Sequence, residues 1–219
     1  MTLHKKIHTY IWGAIALLLL PACNGILGGI YDEPLPKEKK EFGFIQINDK
    51  AKTGRIYIDA TDYKQWHYID LHQKQVVSAA VEDKAPADWD FAIHRYDAKT
   101  NNGTVAECDA TDFNSLPAIK SLPENAFIPD EWSKNRIIID LSKMMEGIVV
   151  RKDDYYNPCL SKWLHVDTST MPPIYTPSGK IYILRIKDGS YAAIRLKNYM
   201  NDAAVKGFMT IDYLYPVQL

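Results

Sequence analysis

The sequence predicts an all-β fold: a single, mostly antiparallel domain, a sandwich or open barrel, with one or two short helices. Three observations predict it. Many short segments alternate apolar and polar residues with period two, these segments are rich in Ile and Tyr, and no long stretch carries an apolar stripe at helical spacing. The composition agrees, because 219 residues that are 47% hydrophobic and 24% charged can fill one good-sized core and are neither disordered, collagen-like nor multi-spanning. With 26 Lys and Arg against 27 Asp and Glu there is no basic field, so no nucleic acid is expected as a partner.

The chain begins with an address. Lys5 and Lys6 precede an apolar run from Ile11 to Leu20, which is too short to span a bilayer of about 30 Å, and small residues then lead to Cys23. Residues 1–22 therefore read as a signal peptide. Leu20-Pro21-Ala22-Cys23 resembles a bacterial lipobox, which makes Cys23 the expected lipidation site; the alternative is an ordinary signal with an incidental cysteine. Residues 23–41, with Gly25, Gly28, Gly29, Pro34, Pro36 and the charged run from Lys37, lack periodicity and read as a lipid-anchored tether. The expected contact with the membrane is the lipid anchor alone.

From residue 42 to 219 the strand rhythm takes over. Phe44 to Ile47, Arg55 to Asp59, His67 to Leu71, Phe91 to Tyr96, Lys180 to Ile186, Tyr191 to Leu196 and Phe208 to Tyr215 are the expected strands. Between two of them lies Lys187-Asp188-Gly189-Ser190, and Asp-Gly tolerates the positive φ of a tight hairpin turn. Asp112 to Ile119 and Lys197 to Ala204 are the two segments that offer a turn or two of helix. The stretch from Asn157 to Gly179 contains Pro158, Pro172, Pro173 and Pro177 and reads as a loop, since proline cannot sit in a central strand.

Once Cys23 is set aside, Cys108 and Cys159 are the remaining thiols of an exported chain. They are either a disulfide or two separate buried thiols, and without CxxC spacing they make a poor zinc site. No GxSxG, HExxH, phosphate-cradling glycine loop or GxGxxG is present, so no catalytic residues are assigned and the chain reads as a non-enzyme. His67, His72 and His94 read as packed or surface residues, and His165, beside the proline-rich stretch, as a somewhat better ligand candidate. Three methionines stand in loop-like contexts: Met144 and Met145, just after an expected strand from Ile137 to Leu141, and Met171, stiffened by Pro172-Pro173. A thioether there is either core filler or a soft, neutral ligand for haem iron or Cu(I). Tyr155, Tyr156, Trp163 and Tyr175 lie near these methionines in sequence and are the aromatic candidates for a pocket around a planar ligand.

Two longer blocks carry a family resemblance. Ala87-Asp88-Trp89-Asp90-Phe91-Ala92-Ile93-His94-Arg95-Tyr96-Asp97, followed by Thr100-Asn101-Asn102-Gly103, is similar to the early signature of the HmuY family of haem-binding lipoproteins of the Bacteroidetes. The second block runs from Trp163 through Thr170-Met171-Pro172-Pro173 to Tyr175, then Ile181 to Leu184 and Asp188-Gly189-Ser190-Tyr191-Ala192-Ala193. The resemblance covers about residues 42–216. It implies a hand-like β domain that holds one haem b in a cleft and passes it to a TonB-dependent outer-membrane receptor, with host haemoproteins or another hemophore as donor. It also implies an outer-membrane, lipid-anchored protein at the cell surface.

Some relatives ligate iron with two histidines and others with methionines, and this chain resembles the methionine branch. Met171 stands at the second ligand loop and Met145 near the first, with Met144 as its alternative; Gly147 favours Met145 by letting the chain bend. Thioether ligation implies a preference for Fe(II). The competing readings are a surface glycan-binding or adhesive β domain with no haem role, the former using Trp132, Trp163 and the tyrosines to stack on sugars.

Overall fold

Asp188 and Gly189 turn the chain as their dipeptide requires: Gly189 has φ +89°, its N–H donates to the Ile186 carbonyl at 2.9 Å, and Ile186 N–H donates to Ser190 at 2.9 Å. The computed structural model describes residues 41–218, and this turn joins β13 (Ile181–Arg185) to β14 (Tyr191–Met200) in an antiparallel pair. The hairpin is the middle of a seven-stranded sheet. On one side follow β15 (Lys206–Leu214), β2 (Thr53–Asp59) and β1 (Gly43–Asn48); on the other, β7 (Thr104–Cys108) and the short β8 (Ile128–Pro129). A second sheet of four strands runs in the order β4 (Gln75–Ala80), β3 (Gln65–Asp70), β5 (Phe91–His94) and β6 (Asp97–Thr100). All pairings among the described residues are antiparallel.

The alternation read from the sequence is what joins the two sheets. Ile56, Ile58, Leu184, Ile194 and Ile211 of the large sheet share one buried cluster with Ile69, Phe91, Ile93 and Ala98 of the small one. Each such side chain contributes about 1.5–3 kcal/mol by leaving water. The intervening residues face outward. Ala106, Cys108 and Ile183 turn to the far side of the large sheet and are covered by Ile119 and Phe127. Trp66, Tyr68 and Ala92 turn to the far side of the small sheet and meet Ile137.

Ile137 belongs to β9 (Glu131–Asp140), which pairs only with β10 (Val150–Tyr156). A two-stranded ribbon is marginal in water on its own, so its base must be tied to the body. Asp154 supplies the tie. Trp66 Nε1 donates to Asp154 Oδ2 at 3.0 Å, and Lys99 Nζ reaches both carboxylate oxygens at 3.2 Å while lying 3.9 Å over the Trp66 ring. Arg136 donates to the buried Asp97 at 2.6 Å and stacks over Tyr156 at 4.1 Å.

A second ribbon, β11 (Leu164–Asp167) with β12 (Ile174–Pro177), is held by Leu164 in the main core and by Tyr175 stacked on Tyr199, ring centres 5.5 Å apart.

Several expectations change. The Asn157 to Gly179 stretch is not all loop: it contains a 3-10 turn over Leu160–Trp163 and the whole β11–β12 ribbon. Its prolines are compatible because Pro172 and Pro173 lie in the turn and Pro177 ends a strand whose far edge is unpaired. Lys197 to Ala204 is not helical; β14 continues to Met200, with Asn198 bridging register shifts through its side chain to Tyr199 N, Met200 N and Met200 O. Asp112 to Ile119 gives only a 3-10 turn at Phe113–Ser115, capped by Asp112, with a second starting at Ile119.

Of the two readings of the thiols, the structure takes the separate one: Cys108 and Cys159 are both free and buried. Cys108 lies in the cluster on the far face of the large sheet and Cys159 in the core between the sheets, so the sheet separates them. The signal peptide, Cys23 and most of the tether fall outside the described residues. No helix among those described is long and apolar enough to cross a membrane.

If Asp154 anchors the β9–β10 ribbon, Asp154→Ala leaves the half-buried Lys99 ammonium over Trp66 without its partner. We expect a loss of about 2 kcal/mol in urea unfolding, against a smaller change for Asp153→Ala on the same strand. Equal effects at the two positions would remove Asp154 from this role.

Candidate functional site

The two ribbons carry the candidate ligands at their tips. Beyond β9 the chain makes a 3-10 turn over Met144–Glu146, closed by Gly147 at φ +79°, whose N–H donates to the Met144 carbonyl at 2.9 Å. This turn leaves Met145 90% exposed and Met144 43% exposed. Met171, in the turn between β11 and β12, is 75% exposed. The other two described methionines, Met200 and Met209, are buried core residues. Apolar side chains are exposed beside both tips as well: Ile148 and Val150 on the first ribbon, Ile174 on the second. Residues of this size are usually inside, so their placement in water at both tips marks surface that awaits a partner.

The aromatic candidates separate into different environments. Trp163 has no exposed surface; it lies in the main core and donates its indole N–H to the Tyr96 carbonyl at 2.9 Å. It offers no face to a ligand, which corrects its expected place among pocket residues. Tyr156 is engaged under Arg136 and Tyr175 against Tyr199. Tyr155 is half-exposed and meets Trp132 edge-on at 5.0 Å. It pairs with Trp132 at the base of the first ribbon, whereas Val150 pairs with Asp140 near the tip. Five residues of strand separate the two levels, roughly 17 Å. Tyr155 instead lines a cleft of about 480 Å³ with Trp89, Lys99, Asn101, Asn102, Thr104 and Asp130 among others.

The histidines have other work. His94 is buried, and its Nε2 donates to the Tyr63 carbonyl at 2.7 Å. Burial pushes its pKa down to about 4, so it is a neutral structural residue at physiological pH. His67 is buried, shares a 2.8 Å hydrogen bond between Nδ1 and Ser78, and is likewise pushed down by burial. His165 points out of β11 into solvent. His72 sits among carboxylates, with Nε2 2.9 Å from Asp188 and Nδ1 3.4 Å from Asp90 and 3.9 Å from Asp70. Partial burial pulls its pKa down, but the Asp188 hydrogen bond and the neighbouring negative charges outweigh this and hold it above the usual range. Asp70, His72 and Asp90 form a compact donor group. Ion pairing with His72 and the Leu71 N–H bond to Asp90 at 2.7 Å account for it.

Sequence reading missed the cleft and the His72 network, because both assemble residues from distant strands. The Asn101-Asn102-Gly103 turn was the available signal. Asn102 has φ +56°, and Gly103 packs so closely that a Cβ would lie 2.7 Å from the Arg185 carbonyl.

His94 sets an acid limit. Its folded pKa lies below the ordinary 6.5, so the unfolded chain binds a proton that the folded chain refuses. Stability is full above about pH 6.5 and falls as the pH drops toward 4, by about 3 kcal/mol from this group. Gln keeps a donor for the Tyr63 carbonyl, so urea unfolding of His94→Gln is expected to show a markedly flatter pH dependence; an unchanged slope would assign the acid sensitivity elsewhere.

Comparison with known proteins adds to this geometry. Residues 62–213 match the family model described as HmuY protein. A solved structure from Bacteroides vulgatus ATCC 8482, described as HmuY-like and heme-binding, is 52% identical with a TM-score of 0.76, covering 82% of this chain and 100% of that one. One from Bacteroides fragilis NCTC 9343, described as a lipoprotein, is 49% identical with a TM-score of 0.77, covering 84% and 100%. The apo HmuY analog of Tannerella forsythia shares the fold at 24% identity and a TM-score of 0.63, over 74% of this chain and 94% of that one. No curated protein matches.

Proposed function

This chain belongs to the HmuY family, and we propose that it is a lipid-anchored hemophore that binds one haem b through two methionine thioethers and delivers it to a TonB-dependent outer-membrane receptor. The observation that carries the reading is the exposure of Met145 and Met171 at the tips of two separate ribbons, each beside unpartnered apolar side chains. A planar apolar ligand would cover that surface, and the thioethers are the soft, neutral donors that iron accepts. Met145 takes precedence over Met144 because the turn closed by Gly147 leaves it the more exposed of the two.

Haem supplies the iron and the planar macrocycle, and the chain supplies the axial sulfurs and the apolar contacts. A thioether stabilises Fe(II) over Fe(III) relative to imidazole, so capture is expected to be favoured under reducing conditions. Handover requires that the donors be reachable by a receptor, which ligands at ribbon tips satisfy better than ligands in a closed cavity. The lipid anchor at Cys23 keeps the domain at the outer-membrane surface, and a second haemoprotein or hemophore is the expected donor. The role proposed for the chain is carriage rather than catalysis.

The test is a haemin titration of the full chain, oxidised and then reduced with dithionite, on wild type and on Met144→Ala, Met145→Ala and Met171→Ala. Wild type is expected to bind the reduced form more tightly and to give a six-coordinate spectrum. Met171→Ala and Met145→Ala should each weaken reduced-haem binding by about tenfold or more, roughly 1.4 kcal/mol, with Met144→Ala much milder. Unchanged spectra and affinities in both Met145→Ala and Met171→Ala would overturn the ligand assignment.

A further inference from the structure

At the base of the first ribbon, five residues of strand from the pair Val150 and Asp140 near its tip, lies the cleft of about 480 Å³ that the haem reading does not use. This volume is within the range of small-molecule sites, about 300–1,000 Å³. One ring of its wall, Tyr155, is 52% exposed, and Trp132, 55% exposed, meets that ring edge to face at 5.0 Å from outside the lining. Trp89 forms another part of the wall and is itself braced edge-on by Tyr68, ring centres 5.0 Å apart. Rigid rings left in water have few internal reasons to be there, since neither Trp132 nor Tyr155 belongs to a core cluster.

The polar lining is fixed in place, and its charged members are Asp130 and the paired Lys99. Asp130 accepts from Thr100 N at 2.7 Å through Oδ2, and from Thr100 Oγ1 and Asn157 Nδ2, both at 3.0 Å, through Oδ1. By the usual two acceptor positions per oxygen, Oδ2 keeps one for a ligand hydroxyl. Thr104 Oγ1 accepts from Arg185 at 3.2 Å, so its own O–H is left to donate, and the Asn102 carboxamide stands on the rim. Lys99 is neutralised by Asp154 at 3.2 Å. The cleft therefore offers flat aromatic faces, hydroxyl and amide partners, and a carboxylate with no free cation beside it among its lining residues. That combination repels phosphates and carboxylates, including the propionates of a porphyrin, and suits a ligand with apolar C–H faces and a rim of hydroxyls.

We propose that this cleft is a carbohydrate-binding site for a neutral saccharide, which stacks on Tyr155, a ring braced by Trp132, and gives a hydroxyl hydrogen bond to Asp130. It does not rest on the haem reading, and the two fail separately. The role is an additional one: a surface protein that holds a glycan at the ribbon base while the ribbon tips remain available.

The experiment follows intrinsic tryptophan emission of the full chain during titration with maltotriose, mannotriose and N-acetyllactosamine. At least one sugar is expected to give a saturable change, weakened about tenfold or more in Tyr155→Ala and in Asp130→Asn, with reduced-haem binding unaltered. Tyr155 and Trp132 are exposed, so Tyr155→Ala and Trp132→Ala should unfold at the wild-type temperature, which separates lost binding from lost fold. No saturable change with any of the three sugars, or binding that survives intact in both Tyr155→Ala and Trp132→Ala, would overturn the proposal.

Discussion

The salt bridge and indole hydrogen bond at Asp154 are the constraint on which the most exposed part of the molecule depends. Ribbons of two strands have no second face to bury and do not persist in water unless something fixes their base. Asp154 meets Trp66 and Lys99 on the outer face of the small sheet, and Ile137 inserts beside Trp66 and Tyr68. Arg136 adds a second attachment to Asp97. With the base held by half-buried polar pairing, the distal half of the ribbon is free to place residues in water that no core would tolerate there. Met145, Ile148 and Val150 are the result.

The second ribbon solves the same problem with different chemistry. Leu164 enters the core, Trp163 just before it locks to Tyr96, and Tyr175 lies flat on Tyr199. The tip with Met171 is thus held by packing and stacking, where the first ribbon also relies on half-buried charge. This difference makes the two tips separable: substitutions at Asp154 or Lys99 act on the first, substitutions at Tyr175 or Tyr199 on the second. The free cysteines belong to the packing side of this account, one on each face of the large sheet, and contribute small buried volume rather than a covalent staple.

Much of the sandwich was legible in the sequence because its strands bury one face. In β15, Met209, Ile211 and Tyr213 enter the core while Phe208, Asp212 and Leu214 stay partly exposed, and that alternation announces both strand and side. The Asp188-Gly189 turn was legible for a local reason, the positive φ that Gly accepts. The first ribbon was legible only at the apolar end of β9, Ile137 to Ile139; its start, Glu-Trp-Ser-Lys-Asn-Arg, and the Arg-Lys-Asp-Asp of β10 have little apolar face to detect. Trp163 misled for the opposite reason, since proximity in sequence to Met171 says nothing about which side of the core a ring enters. The methionines themselves stood out by context, and their exposure is the structural fact that the sequence left open between core filler and ligand.

The central claim, that the ribbon-tip thioethers hold haem iron, is tested most directly by nuclear magnetic resonance of the full chain carrying methyl-¹³C methionine, bound to haem and reduced to its diamagnetic ferrous state. The ring current of the porphyrin shifts methyl groups lying over the iron strongly upfield. The account predicts that the signals of Met171 and Met145 move in this way while those of the buried Met200 and Met209 stay near their apo positions. Methyl signals of Met144, Met145 and Met171 that all remain at their apo positions in a saturated complex would contradict it.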